Sequence, residues 1–143
     1  MEGSMLKALS GLSILLVLFP ISSYCQQPKK HPIDKALDEC MDKAPSTFGM
    51  RDCDDKALEM WDKELNKVYR ELYAKLDPEG QRALKAAQTE WIKYRDEEYK
   101  LTDAIYSKLQ GSMYTWMSVD HRVGIVRQRA EALKSYLDLI KQQ

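Results

Sequence analysis

QTEWIKYRD, residues 88–96, spaces Gln88, Trp91 and Arg95 three and four residues apart, which puts them on one side of an α-helix with Tyr94 beside them. A helix in a globular protein needs an apolar stripe to bury. This one carries a glutamine and an arginine on the same side as its tryptophan. Two explanations compete: a site with chemistry, or a polar lock inside a small bundle. The surrounding sequence decides between them.

Upstream, Leu58, Trp61, Leu65, Val68, Leu72 and Leu76 recur at three and four residues, the stripe of an amphipathic helix with Thr47 as N-cap and an end near Leu76. Asp77 followed by Pro78 restarts the chain as N-cap and first-turn proline. The next helix places Leu84, Ala87, Trp91, Leu101, Ile105 and Leu109 on one face and stops at Gly111. Ser112 caps a last helix with the stripe Met113, Trp116, Val123, Val126, Ala130, Leu133, Leu137 and Ile140, and Gly124 weakens it by about 1 kcal/mol relative to alanine. PIDKALDECMDK (32–43) reads as a short first helix, with Pro32 at its start and Pro45 beyond its end. No strand-period run or Asn-Gly hairpin signal interrupts the pattern. The three long helices, about 30 residues each, reach about 45 Å and can pack antiparallel over their whole extent. The fold class is therefore all-α, an elongated up-down bundle of three long helices plus a short N-terminal helix.

The chain has 143 residues, 44% of them apolar, which is enough for one domain with its own core. Lys7 precedes LSILLVLFPISSYC (12–25), about the length of a signal-peptide hydrophobic region and too short to span a bilayer. Residues 1–25 read as a secretory signal peptide and residues 26–143 as the mature helical domain, with no integral membrane segment after cleavage. Ser23 and Cys25 suit a cut before Gln26, while Ile21 and Ser23 suit one before Tyr24. A lipoprotein signal needs a small residue before its cysteine, so Tyr24 disfavours anchoring at Cys25. The expected location is periplasmic or secreted.

A cut before Gln26 leaves Cys40 and Cys53, and two cysteines in an exported chain usually pair. The helices flanking APSTFG (44–49) bring them together, and the closed loop stabilises by about 3 kcal/mol in the chain-entropy view. A metal pair is the weaker reading, because there is no Cys-x-x-Cys and His31 and His121 lie in separate segments. Inert free thiols are the remaining alternative. No cofactor and no metal site is expected.

Without residues 1–25 the charge still balances, at 21 basic and 21 acidic side chains, since Glu2 and Lys7 leave together. From Asp34 to Asp62, nine acidic residues face four basic ones, while His121 to Gln143 carries five basic and two acidic. Nucleic acid is a poor partner for such a chain. A basic protein could be steered to the acidic end. Most of the charges simply solvate helix faces.

The opening stretch can now be placed. Measured from the turn at Asp77, Asn66 lies eleven residues before and Gln88 eleven after; Asp62 lies fifteen before and Arg95 eighteen after. That mismatch is about 4.5 Å along the axis, within reach of an arginine. Asp62, Asn66 and Tyr69 share one side of the second helix, and Gln88, Trp91 and Arg95 share one side of the third. The expectation is a polar ladder across this hairpin, with Asp62 paired to Arg95 and Asn66 to Gln88. An orphaned buried polar group costs about 1–3 kcal/mol, so the ladder would set register more than it stabilises. A catalytic reading would need a carboxylate with a shifted pKa in a concave pocket, and a slim bundle offers few. GxSxG, HExxH and phosphate-loop patterns are absent, and no catalytic residue is assigned.

DKELNKVY (62–69) followed by AAQTEWIKYRDEEY (86–99) resembles the DxxLNxxY and QxxWxxYRDxxC signatures of the family named after the lysozyme inhibitor LprI, small exported bacterial helical proteins often with four cysteines. The likeness runs from about Cys40 through STFGMRDC (46–53) to GSMYTW (111–116) and RAEALKSYL (129–137). Tyr99 stands where the family has the RDxxC cysteine, and its usual partner falls near His121, so both halves of a second bridge are replaced together. A Tyr99–His121 contact or plain packing is expected there. The resemblance implies a non-catalytic protein that docks on a lysozyme or another basic envelope protein. The acidic end, with Asp52, Asp54 and Asp55, would steer it, and Lys43 or Arg51 would enter the cleft. The alternative is a structural or accessory cell-envelope module that binds a protein or peptide through Met113, Tyr114, Trp116 and Met117.

Overall fold

His31 starts the first helix: its Nδ1 accepts the Ile33 amide at 3.2 Å, and Pro32 takes the first helical position, where no amide is missed. The structure is a computed structural model that describes residues 29–142, so the signal-peptide reading of residues 1–25 lies outside the described residues. Four helices follow one another: α1 (Pro32–Met41), α2 (Thr47–Lys75), α3 (Pro78–Tyr106) and α4 (Ser112–Lys141). Among the described residues there is no strand, and the all-α bundle of three long helices and one short one is observed.

The caps follow the sequence with two shifts. Asp77 accepts the Gly80 amide at 2.7 Å, as Asp-Pro implies. For α2 the cap is Ser46, which accepts the Gly49 amide at 3.2 Å. Thr47 is already helical, and its hydroxyl donates to Ser112 Oγ at 2.7 Å. Gly111, not Ser112, stands at the N-cap of α4, with φ +119°, a conformation that a side chain would resist.

The packing differs from a zipped α2–α3 hairpin. Residues Ala57, Trp61, Leu65, Val68 and Leu72 of α2 meet Val123, Val126, Ala130, Leu133 and Leu137 of α4 in one buried cluster. Thr47 bonds Ser112 at one end and Lys141 meets Glu71 at 3.3 Å at the other, so α2 and α4 run parallel. The antiparallel α3 is the crossover between them. It packs on α4 and scarcely approaches α2. Its stripe is accordingly half used: Leu84 is buried and Trp91 half-buried, whereas Leu101, Ile105 and Leu109, expected inside, are exposed. Met113, at the start of α4, is exposed too.

The short α1 lies on α2. Ile33 and Leu37 pack on the core, the His31 ring stacks on Trp61 at 4.4 Å, and Cys40 is bonded to Cys53. Each end of α1 is thus tied to α2, its start by an aromatic contact and its last turn by a covalent bond.

Two outcomes follow for stability. The Cys40→Ser/Cys53→Ser double variant is expected to lose about 3 kcal/mol in urea unfolding, because a loop closed over a 13-residue separation is released. Gly124→Ala should gain about 1 kcal/mol, since Gly124 is helical and a Cβ there meets no atom within 4 Å. Thermal melts would check the second.

Candidate interaction site

The polar residues of the two sequence signatures do not meet one another across the α2–α3 hairpin. Asn66 turns back within α2 and donates to the Asp62 carbonyl at 2.8 Å and to its carboxylate at 3.1 Å, both residues being exposed. Arg95 forks onto its neighbour Asp96 at 2.9 and 2.7 Å. Gln88 Oε1 accepts from Arg129 of α4 at 3.0 Å. The expected Asp62–Arg95 and Asn66–Gln88 pairs are therefore replaced, and the reason is the packing. The apolar stripe of α2 is spent on α4, which leaves its Asp62–Asn66 face exposed, with α3 only loosely against α2. Tyr69 is half-buried against the core, 6.1 Å from Tyr73.

A different ladder holds α3 to α4. The Arg129 and Arg95 guanidiniums lie over Trp91 at 5.9 and 5.5 Å, and Arg95 and Arg122 lie over Tyr99 at 5.8 and 4.9 Å. Arg122 continues to Asp103 on α3. Each cation-over-ring contact contributes about 0.5–1 kcal/mol where half exposed. Burial pushes the Tyr99 hydroxyl up, against the pull of Arg95 and Arg122. Tyr99, where the family has a cysteine, thus packs on Arg122, while His121 faces Glu98 at 4.0 Å. The sequence held the signal: Arg122 and Arg129 are seven residues apart, on one face of α4.

The acidic end is divided by the fold. Asp52 is held by Lys56 at 2.5 Å and Asp55 by Arg51 at 3.8 Å, all exposed on the outside of α2. Lys43 is exposed just beyond α1. Asp34 is buried and takes Arg127 of α4 at 3.2 Å, and the same guanidinium meets Glu131 at 3.0 Å and covers Trp61 at 5.9 Å. His31, Asp34, Trp61 and Arg127 thus form one junction of three helices.

Asp54 is the exception. It is completely buried, and neither carboxylate oxygen has a hydrogen-bond partner. Burial first, then the Asp120 carboxylate, push its pKa from 3.8 up to about 6. The Trp116 indole N–H lies near enough to pull the other way, yet makes no hydrogen bond of good geometry. Among the described residues no group of three or more histidine, cysteine or acidic side chains is arranged to hold a metal ion. No described helix is long and apolar enough to cross a membrane.

An all-α bundle stapled by the Cys40–Cys53 disulfide, with a cation-and-ring ladder on its third helix, is the class of protein this geometry defines. Residues 40–133 match the family described as "Lysozyme inhibitor LprI", and the chain belongs to that family. A crystal structure of an uncharacterized protein from Burkholderia thailandensis is similar, with TM-score 0.74 and 32% identity over 78% of this chain. The likeness spans 56% of that protein's length. A search of the curated proteins returned no match.

The raised pKa of Asp54 has a signed consequence. Above about pH 4 the unfolded chain sheds a proton that the folded chain keeps until about pH 6, so this group withdraws stability as pH rises through that window. Asp54→Asn removes the titration. Relative to the native chain, the variant should gain of order 2 kcal/mol between pH 4 and pH 7, as read by urea unfolding at both values. An equal difference at the two pH values would show that Asp54 ionises normally.

Proposed function

We propose that this protein is exported and acts without catalysis, by docking on a lysozyme and blocking its cleft. The observation that carries this reading is membership of the lysozyme-inhibitor family over residues 40–133. The Cys40–Cys53 disulfide fits an oxidising, extracytoplasmic setting. Lysozymes are commonly basic, and the outer faces of α1 and α2 present Glu39, Asp42, Asp52 and Asp55 to solvent. Such a face raises the association rate of a cationic partner. Lys43 and Arg51, exposed at the same end, are the side chains proposed to enter the cleft.

A second reading has its own observation. Phe48 is 81% exposed beside the Thr47–Ser112 contact that joins the starts of α2 and α4, and Met113 follows that contact at 55%. With Leu109 exposed in the preceding turn, this end resembles a surface for another envelope protein or peptide. Trp116, by contrast, is half-buried, so Met113 carries this reading and Trp116 does not.

The test is a cell-wall clearing assay against chicken-type and goose-type lysozymes. Micromolar protein should suppress at least one of them, and undiminished activity against both would refute the reading. Asp52→Lys/Asp55→Lys should weaken inhibition about tenfold at low salt and by much less at 0.5 M salt, where surface charge is screened. Phe48→Ser should leave inhibition unchanged and abolish capture of a partner that uses the apolar end.

A further inference from the structure

Gly124 lies in the middle of α4, where glycine is the poorest choice after proline, and no packing reason accounts for it. A Cβ built there meets no atom within 4 Å. The open space belongs to a groove of about 400 Å³ that crosses α4 between α1 and α3. Asp34 and Leu37 form its wall on α1, and Tyr94 and Glu98 its wall on α3. Asp120, His121 and Arg127 line it along α4.

The charges of this groove do not cancel. Arg127 is already shared between Asp34 and Glu131. Glu98 has the His121 imidazole at 4.0 Å, and Asp120 has no ion pair among the described residues. Asp54 of α2, wholly buried with both oxygens unpartnered, feels the Asp120 carboxylate. A groove whose carboxylates outnumber its cations favours the arrival of a cation.

We propose that this groove receives an arginine side chain of a basic protein partner. The missing side chain at Gly124 provides the room, Glu98 and Asp120 supply the counter-charge, and the exposed Tyr94 ring supplies a flat surface. A guanidinium suits the site better than an ammonium because its planar fork can meet two carboxylates and lie on a ring at once, as Arg127 does with Asp34, Glu131 and the Trp61 ring within this same chain. The proposal rests on the lysozyme-docking reading for the identity of the partner, and places the recognised residue in a groove that the charge count of the sequence did not single out.

The experiment is a titration of the purified ¹⁵N-labelled protein with N-acetyl-arginine methylamide, followed by amide chemical shifts. Shifts should cluster at Gly124, His121, Gln128 and Tyr94 and saturate in the millimolar range. Gly124→Leu fills the groove, and leucine favours the helix over glycine, so the variant should fold and bind the probe at least tenfold more weakly. Glu98→Gln/Asp120→Asn should weaken it similarly without altering the groove's shape. Shifts scattered over the surface, or an unchanged titration in Gly124→Leu, would overturn the proposal. In the clearing assay, Gly124→Leu should lose at least tenfold in inhibition. Inhibition by Gly124→Leu equal to that of the native chain would overturn the groove and leave the inhibitor reading standing. A focused arginine titration without inhibition of any lysozyme would support the groove and refute the choice of partner.

Discussion

The seam between α2 and α4 organises this molecule. Ala57, Trp61, Leu65, Val68 and Leu72 close against Val123, Val126, Ala130, Leu133 and Leu137 along about half the length of two parallel helices. Each large apolar side chain so buried contributes about 1.5–3 kcal/mol, more than any of the surface ion pairs, which are worth about 0–1 kcal/mol each. Parallel helices cannot be joined by a short turn. The 29-residue α3 therefore has to bring the chain back, and its role as a return path explains why it is the least buried of the three.

That division sets how α3 is attached. With little apolar surface in play beyond Leu84 and Trp91, its contact with α4 is carried by guanidiniums laid over rings, from Arg129 and Trp91 to Arg122 and Tyr99. Such contacts tolerate water and hold long side chains without a dry core. They occupy the region where the resemblance implies a second disulfide. A stacked arginine fixes the two helices less firmly than a covalent bond, so the α3–α4 contact is held by packing, hydrogen bonding and charge.

The α1 side of the bundle is built for rigidity. The Cys40–Cys53 bond, the His31–Trp61 stack and the Asp34–Arg127 pair hold α1 to its neighbours from its first residue to its last turn. Because α1 lies on α2, with Arg127 of α4 reaching across to its Asp34, a groove remains between α1 and α3, and Gly124 keeps its floor open. A pre-formed groove loses little conformational entropy when it is filled. The same rigidity keeps Asp54 buried without a partner, a cost carried by the surrounding packing.

The helices, their lengths and their junctions were legible in the sequence because they depend on local chemistry: a 3.6-residue stripe, Asp-Pro at Asp77, a glycine at Gly111. The disulfide was legible for the same reason, since 13 residues of chain confine Cys40 to the neighbourhood of Cys53. Which helix faces which was not. Adjacent helices in sequence favour an antiparallel hairpin, and on that assumption Asp62 and Asn66 would meet Arg95 and Gln88. The tertiary structure decided otherwise, because the better match for α2's apolar stripe lies on α4, far along the chain, and polar groups pair with whatever the apolar seam leaves beside them. The acidic count from Asp34 to Asp62 was likewise a property of the sequence alone. Whether each of those carboxylates is buried, locally paired or open to a partner was settled only when the helices took their places.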